Sequence, residues 1–323
     1  MQGLLTGLFE SLKMIAAVFG VLLAAAYLAH MDQKILAKTQ LRQGPNRTGL
    51  WGIFQPFAHM IKLFSKGTTV GRDRLLFVLA PGFTLLLALG TWAVIPLDRG
   101  RVIEDLDVGI LYVLFLFSLA IYGAIIGGWA TGSKYGLLGS LRAGAQQISY
   151  QLILGLIFVA IVLCTGSLNL TKIVEAQTSC WLVLPLFPLF CIFILCALAE
   201  ATRGPFDGPR SSEIRGGYEG AYSGVSFWFY MLSEYVILLT FGALATLLFL
   251  GGWLPILSTL PPIPGLVWFL TKMILILFAF AWIKATVPQV PQDQFMVYSW
   301  KIFLPFTVGW IILVAVVKLI SNI

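Results

Sequence analysis

The sequence predicts an all-α, polytopic membrane protein with about eight transmembrane helices and an amphipathic helix after the first. Three observations support this prediction. The 323 residues are 59% apolar and only 11% charged, whereas soluble domains carry about a quarter of charged residues. Eight apolar runs come close to or exceed the ~20 residues that a membrane-spanning helix needs. The alternating segments of about ten residues that are typical of a membrane β-barrel do not occur in the sequence.

The apolar runs follow one another without long soluble insertions, so we expect a single membrane domain over residues 1–323. The predicted spans cover roughly 12–30, 75–96, 108–130, 147–166, 182–200, 226–249, 266–287 and 302–320. The long inner connections are expected at about 31–74 and 201–225. The first run weakly resembles a signal peptide, but seven further spans follow, so we expect it to be retained as a span.

The distribution of basic residues predicts the orientation. Of the 21 Lys and Arg residues, 15 follow the first, third, fifth and seventh spans. Basic connections stay on the cytoplasmic or matrix side, so we expect both termini on the outer side. This asymmetry accounts for the net charge of +7. Because the basic residues are spread over separate connections and form no single face, nucleic-acid binding is disfavoured.

The first inner connection contains a second kind of helix. In "LWGIFQPFAHMIKLFSKG" the apolar side chains recur at steps of three and four, at Leu50, Ile53, Phe54, Phe57, Ile61 and Phe64. This period predicts an amphipathic helix that is too polar to span the bilayer. It lies either in the membrane interface as the wall of a cavity or simply packed along the other spans. The sequence leaves these alternatives open.

The segment "RGPFDGPRSSEIRGGY" (203–218) is the most charged run in the second half of the chain. Its glycines and prolines are incompatible with one continuous helix. Its charges are incompatible with lipid, so backbone at membrane depth would have to line an enclosed or watery cavity. The alternative is a solvated inner loop, which composition alone favours.

Ionisable residues inside a membrane span are costly, and they suggest function by default. Glu234 is the one that the sequence places well inside a span. There a carboxyl group could take up and release protons, or it could be a neutral, hydrogen-bonded structural group. Asp32, Lys34 and Glu200 are expected at the ends of spans, where interfacial snorkelling is the alternative. Snorkelling is favoured for Asp32 and Lys34.

The cysteine and histidine patterns predict no metal and no haem. Cys164, Cys180, Cys191 and Cys196 lie in or near spans without a C-x-x-C motif, and iron–sulfur ligation needs clustered thiolates. His30 and His59 are too far apart in the sequence for a local metal motif.

Seven motifs make the chain similar to a known family over about residues 28–310. They are "QLRQGPNRTG" (40–49), "FQPFAHMIKLF" (54–64), "SKYGLLGSLRAGAQQISY" (133–150), "LAEATRGPFD" (198–207), "GAYSG" (220–224), "LFLGGWLP" (248–255) and "SWKIFLP" (299–305). In this order they resemble the bacterial H-subunit (mitochondrial subunit 1) family of NADH–quinone oxidoreductase, respiratory complex I.

This resemblance implies an eight-span subunit in the bacterial or mitochondrial inner membrane, at the junction with the peripheral redox arm. The first span, the amphipathic helix, the sixth span and the loop before it would enclose much of a quinone chamber. The expected partners are other membrane and peripheral-arm subunits, the quinone substrate and the lipid bilayer. The resemblance implies that the chain itself holds no cofactor and takes part in coupling quinone reduction to proton translocation.

The resemblance also implies candidate residues for the quinone chamber and for coupling, none of them catalytic. They are Asp32, Lys34, Arg42, Arg142, Glu200, Phe206, Asp207, Arg210, Glu213, Tyr218, Glu234 and Asp293.

Several charged positions depart from the family pattern. His59 stands where the family usually has aspartate, Gln151 replaces a membrane carboxyl group, and Arg210-Ser211-Ser212 replaces part of an acidic run. A glutamine keeps the shape of glutamate but has no titratable proton. The departures predict altered proton coupling.

Three other functions remain open. One is a scaffold paralogue that anchors a redox arm without coupling, and another is a subunit of a related membrane hydrogenase. A lone transporter is the least favoured, because the chain has no internal repeat of the kind that many transporters carry.

Overall fold

The computed structural model describes residues 2–68, 71–178, 180–206, 217–255 and 264–321, with the backbone alone over 2–12 and at 321. The described residues form α1 (Gln2–Thr39), α2 (Gln55–Ser65), α3 (Arg74–Gly90), α4 (Gly109–Ala130), α5 (Lys134–Thr165), α6 (Leu170–Ala176), α7 (Phe187–Glu200), α8 (Gly224–Phe249), α9 (Gly265–Thr286), α10 (Gln292–Tyr298) and α11 (Leu304–Ser321). These ranges contain no β-strand, so the all-α prediction is confirmed.

Among the described helices, seven segments are long and apolar enough to cross a membrane. They are α1, α3, α4, α5, α8, α9 and the continuous stretch of α10 and α11. The fifth predicted span, 182–200, is helical only over the 14 residues of α7. At 1.5 Å per residue α7 is about 21 Å long, shorter than the ~30 Å hydrocarbon core. Pro185 and Pro188 explain its late start, because proline has no N–H and disfavours helical backbone in the preceding residue.

Two helices extend further than the apolar runs predict. Helix α1 continues to Thr39, so Asp32 and Lys34 lie within the helix and not at the start of a loop. No glycine or proline interrupts the chain between Met31 and Arg42, and the backbone therefore stays helical after the apolar run ends. Helix α5 begins at Lys134, where the Ser133 hydroxyl accepts a hydrogen bond from the Gly136 N–H at 2.9 Å.

The predicted amphipathic helix is α2, but it begins only at Gln55, with Pro56 in its first turn. Leu50, Ile53 and Phe54, which the period assigned to the same helix, precede it, because Trp51 breaks the helical backbone at a φ of +58°. Helix α2 packs along α1 and α8. Phe57 meets Tyr27 of α1 edge-on at a ring distance of 6.3 Å, and Phe64 meets Trp228 of α8 at 5.3 Å. The helix thus lies against the bundle and leaves a groove beneath it, which is described below.

Helix α8 is the centre of the bundle. Every residue from Leu232 to Phe249 is buried, and the helix packs against α1, α2, α3, α7 and α9. A helix that is apolar on all sides is expected to be enclosed by other helices. Glu234 therefore lies inside the protein, away from lipid.

The connections gather at two opposite ends of the bundle. At one end Asn169, after α5, donates to Asp105, before α4, at 2.9 Å, and Gln177 donates to the Leu247 carbonyl at 2.8 Å. At the other end the Ser223 hydroxyl donates to the Gly67 carbonyl at 3.3 Å. This alternation is what successive membrane crossings require, and α7 joins the two ends despite its short length.

Candidate functional site

A chain of polar contacts crosses the protein interior between α1, the end of α7, α8 and α9. It consists of Lys284, Asp32, Tyr235, Arg203, Glu234 and Thr202, and we call it the buried polar chain. Lys284 Nζ donates to Asp32 Oδ2 at 2.5 Å, and Tyr235 Oη donates to the same oxygen at 3.3 Å. Arg203 donates to Tyr235 Oη at 3.2 Å. Arg203 also pairs with Glu234 at 2.9 Å, and the Thr202 hydroxyl donates to Glu234 Oε1 at 3.1 Å.

The two carboxylates of the buried polar chain are enclosed by the protein. Asp32 is 7% exposed and Glu234 is 6% exposed. Burying a charge is costly unless an opposite charge lies beside it, and each of these carboxylates has a cation within ion-pair distance. The Arg203 guanidinium also lies over the Tyr235 ring at 3.9 Å, a cation–π geometry. Tyr235 therefore joins two ion pairs through one hydroxyl group.

Asp32 and Glu234 are the two members of the buried polar chain that the sequence singled out. The sequence did not single out the other four, which are Lys284, Tyr235, Arg203 and Thr202. Snorkelling does not describe Asp32, because the side chain points into the protein and is paired. Intramembrane charges usually pair with one another, so a basic partner for Glu234 could have been sought at Arg203, directly after the fifth predicted span. Nothing in the sequence marks Tyr235 as the bridge.

A groove lies between α1, α2 and α8, next to the buried polar chain. It is lined by Ala26, Ala29, His30, Gln33, Gln55, Pro56, His59, Trp228, Met231, Leu232 and Tyr235. Both histidines of the chain line this groove. Tyr235 belongs to the groove and to the buried polar chain, so the two features share a side chain.

Lys34 and Arg42 lie outside the buried polar chain, in an open basic depression. Lys34, Lys38, Arg42, Gly44, Asn46 and Trp51 line this depression. Lys34 Nζ donates to the Trp51 carbonyl, while Lys38 and Arg42 are exposed. The depression suits an acidic surface or an anionic group.

Glu200 is buried at the end of α7, and its Oε2 has no hydrogen-bond partner among the described residues. The backbone around it is held by amides of α5. Gln146 donates to the carbonyls of Ala199 and Phe206 at 2.9 and 3.0 Å, and Gln147 donates to the Glu200 carbonyl at 3.2 Å. The Phe206 ring stacks on Phe295 at 3.6 Å. These contacts fix the start of the segment that follows α7.

Tyr218 belongs to an aromatic cluster at the start of α8. Its ring meets Tyr230 edge-on at 5.2 Å, and Tyr222 stacks on Phe77 at 3.9 Å. Tyr222 Oη donates to the Gly127 carbonyl of α4 at 2.9 Å. Burial raises the pKa of Tyr222 to about 12, against a smaller opposing effect of its hydrogen bond with Tyr230. Tyr222 is therefore neutral near pH 7, and an anchoring role suits it better than proton exchange.

The remaining predicted residues lie apart from the buried polar chain or beyond description. Arg142 and Asp293 are exposed on α5 and α10, and Gln292 donates to the Arg142 carbonyl at 2.8 Å. Asp207, Arg210 and Glu213 lie outside the described residues. Within the described ranges, no group of three or more His, Cys, Asp or Glu side chains is placed to hold a metal ion.

Fold and site together define a polytopic helical membrane protein in which an apolar groove meets buried ion pairs. The model of a family described as NADH dehydrogenase matches residues 12–315. The chain is 46% identical over 308 residues to the H subunit of NADH-quinone oxidoreductase from Rhodospirillum centenum, covering 94% of this chain and 92% of that protein. It is 43% identical over 316 residues to NADH-ubiquinone oxidoreductase chain 1 of Chondrus crispus, covering 96% and 97%. The chain belongs to the NADH dehydrogenase family, and the predicted resemblance is confirmed.

Proposed function

We propose that the chain is a membrane subunit of a complex I-like NADH:quinone oxidoreductase in a bacterial or mitochondrial inner membrane. The similarity to the relatives from Rhodospirillum centenum and Chondrus crispus over nearly the whole chain supports this proposal. The electron-carrying centres would belong to other subunits. This chain would contribute a chamber for the quinone and a path for coupling.

The groove between α1, α2 and α8 is proposed as part of the quinone chamber. Its apolar walls include Pro56, Trp228, Met231 and Leu232, which suit an isoprenoid tail. The observation that carries the proposal is that Tyr235 lines this groove and also bonds to Asp32 and Arg203. A headgroup in the groove would therefore lie beside buried charges.

Those charges would give the site a coupling role. Quinone reduction takes up two electrons and two protons, so it changes the electrostatics around the headgroup. A change at Tyr235 would alter both the Asp32–Lys284 pair and the Arg203–Glu234 pair, because its hydroxyl joins them. We propose that the buried polar chain and the charged segment after Phe206, which contains Asp207, Arg210 and Glu213, transmit the change toward neighbouring subunits.

The test uses the purified complex. We expect quinone reduction by the complex in detergent and proton uptake when the complex is sealed into vesicles. Quinone reduction without proton uptake would remove the coupling part of the proposal. An assembled complex that reduces no quinone would overturn the quinone part and leave the scaffold function.

One observation favours the scaffold as a second candidate. Gln151 occupies a position where the family usually has a carboxyl group, and its amide nitrogen donates to the Leu114 carbonyl at 2.9 Å and to Ser118 Oγ at 2.7 Å. Such a group holds α4 and α5 together but cannot relay a proton by ionising. Electron donors distinguish both candidates from a subunit of a membrane hydrogenase. A complex of that kind would react with hydrogen or reduced ferredoxin in place of NADH.

A further inference from the structure

His30 is a buried imidazole without a normal hydrogen bond. The residue is 6% exposed, and neither ring nitrogen has a hydrogen-bond partner among the described residues. The Trp51 backbone lies beside the ring but does not meet normal hydrogen-bond geometry. Buried polar side chains are nearly always bonded to protein, water or ligand. Since His30 lines the groove, a group inside the groove is the natural partner.

The turn before α2 holds the imidazole in place. Gly52 has a φ of +75°, and a Cβ built on it would lie 3.3 Å from His30 Cε1 and 2.2 Å from the Pro45 carbonyl oxygen. Only glycine fits such a close approach at this backbone conformation. The turn therefore closes over one side of the ring and leaves the groove as its open side.

The groove offers uncharged hydrogen-bonding groups. Besides His30, the lining residues with hydrogen-bonding side chains are Gln33, Gln55, His59, Tyr235 and, through its indole N–H, Trp228. No carboxylate or ammonium group lines the groove in the described ranges. Neutral imidazole, amide and phenol groups can each both donate and accept. Burial, with a smaller effect of the Lys62 charge, lowers the pKa of His59, so this imidazole is neutral near pH 7. An uncharged ligand fits these walls better than an ion.

We infer that His30 hydrogen-bonds the quinone headgroup while the headgroup lies in the groove between α1, α2 and α8. This inference rests on the proposed function. A quinone presents carbonyl oxygens that only accept, and a quinol presents hydroxyl groups that also donate. A neutral imidazole has one N–H and one bare nitrogen, so it bonds to either redox form without changing its own charge. His30 is thus a positioning residue that holds both substrate and product.

The test compares His30→Leu, which removes both nitrogens, with His30→Gln, which keeps a donor and an acceptor. Both are made in the complete complex. Steady-state quinone reduction is measured with a short-chain ubiquinone analogue, and ferricyanide reduction reports the peripheral arm separately. Met31→Leu is the matched control, because Met31 neighbours His30 on α1 but is 52% exposed and does not line the groove.

We expect His30→Leu to raise the quinone KM roughly tenfold, the equivalent of about one hydrogen bond. His30→Gln should restore most of the affinity, and ferricyanide reduction should be unchanged in all variants. An unchanged KM in the assembled His30→Leu complex would show that the imidazole does not bind the quinone headgroup and would overturn the inference. If the wild-type complex reduced no quinone at all, the proposed function would fail first.

If the His30→Leu complex does not assemble, photolabelling of the wild-type complex tests whether the quinone headgroup lies in the groove beside His30. An azido-quinone should attach within residues 26–33, 55–59 or 228–235, which line the groove. Attachment only at other positions would overturn the inference, whether or not the complex reduces quinone.

Discussion

Arg203 and Glu234 form the most enclosed ion pair among the described residues, with side-chain exposures of 11% and 8%. At this depth the attraction between the charges is balanced against the cost of removing both from water. The pair as a whole therefore adds little to the stability of the fold. Its members nevertheless depend on each other, because a lone buried charge would be costly.

We expect Arg203→Met to destabilise the subunit by about 3–5 kcal/mol, since Glu234 loses the cation that compensates its buried charge. The midpoint of thermal inactivation of the purified complex measures the effect. The double variant Arg203→Met with Glu234→Leu should recover part of the loss, because neither charge is then left unpaired.

Lys172→Met provides the comparison at the surface. Lys172 pairs with Asp107 at 3.2 Å, but the side chains are 61% and 87% exposed. Water screens such a pair, so the expected loss is below about 1 kcal/mol. Equal effects of Lys172→Met and Arg203→Met would contradict the role of burial in this argument.

Gln151→Glu should leave the complex assembled. A protonated glutamate can still donate one of the two hydrogen bonds that Gln151 gives to Leu114 and Ser118, so we expect a loss of about 1 kcal/mol. Native gel analysis of the membranes measures assembly. Absence of the complex would show that this buried site does not tolerate a carboxyl group.

The sequence marks single residues of the site better than their contacts. Asp32 and Glu234 stand out because charges are rare in apolar runs. Tyr235 and Lys284 look ordinary in the sequence, since tyrosine is common at membrane interfaces and lysine at the ends of spans. Their roles arise only when α1, α8 and α9 meet.

At the scale of the helices, Tyr230 of α8 meets two glycines of α4. The Tyr230 hydroxyl donates to the Gly123 carbonyl at 3.1 Å, and a Cβ on Gly127 would lie 1.9 Å from that hydroxyl. Small residues let membrane helices approach closely in this way. The contact between Tyr230 and α4 also holds the first half of α8, which contributes to the buried polar chain and to the groove.

Gly127→Ala should push Tyr230 away from α4 and destabilise the subunit by about 1–3 kcal/mol through overpacking. The yield of assembled complex and its thermal inactivation midpoint are the measurements. Gly155→Ala on α5 is the control, because its Cβ would meet only Leu114 Cδ1, at 3.9 Å. A Gly127→Ala complex as stable as the control would contradict the steric argument.

Helix type could be predicted from the sequence, but helix length could not. Apolar runs locate the membrane-embedded part of a helix, whereas α1 and α5 continue through polar residues, and α5 does so across Gly136, Gly139 and Gly144. For α7 the opposite holds, because Pro185 lies within the apolar run and delays the helix. Lengths therefore depend on breakers and caps more than on hydropathy.

At the scale of the whole molecule, the two ends of the bundle should face opposite sides of the membrane. Cys180 is exposed beyond α6, at the end where the second, fourth and sixth connections meet. The excess of Lys and Arg at the other end predicts that Cys180 faces outward. A membrane-impermeant maleimide should label Cys180 from the outer side of intact cells or organelles.

Ser65→Cys on α2 should add a label that appears only when the inner side is opened, and Cys180→Ser should remove the outer label. Labelling of Ser65→Cys from outside would reverse the predicted orientation. Cys191, which is exposed on apolar α7, should resist the polar reagent because lipid or a neighbouring subunit covers it.

The family and the helical fold were predictable from ordered motifs and long apolar runs. The groove was predictable only in outline, as a space beside the amphipathic helix, because its volume depends on how α2 packs on α1 and α8. The contacts of Asp207, Arg210 and Glu213 could not be derived from the sequence, since many loop conformations satisfy the same glycines and prolines.

The double position of Tyr235 has a thermodynamic consequence. Any molecule that occupies the groove and shifts this phenol changes the free energy of both ion pairs. By reciprocity, if groove occupancy alters either ion pair, a change in that ion pair alters the affinity of the groove by the same factor. Groove occupancy and the state of the two ion pairs are then linked equilibria, and a mutation in either pair should be measurable as a change in binding to the groove.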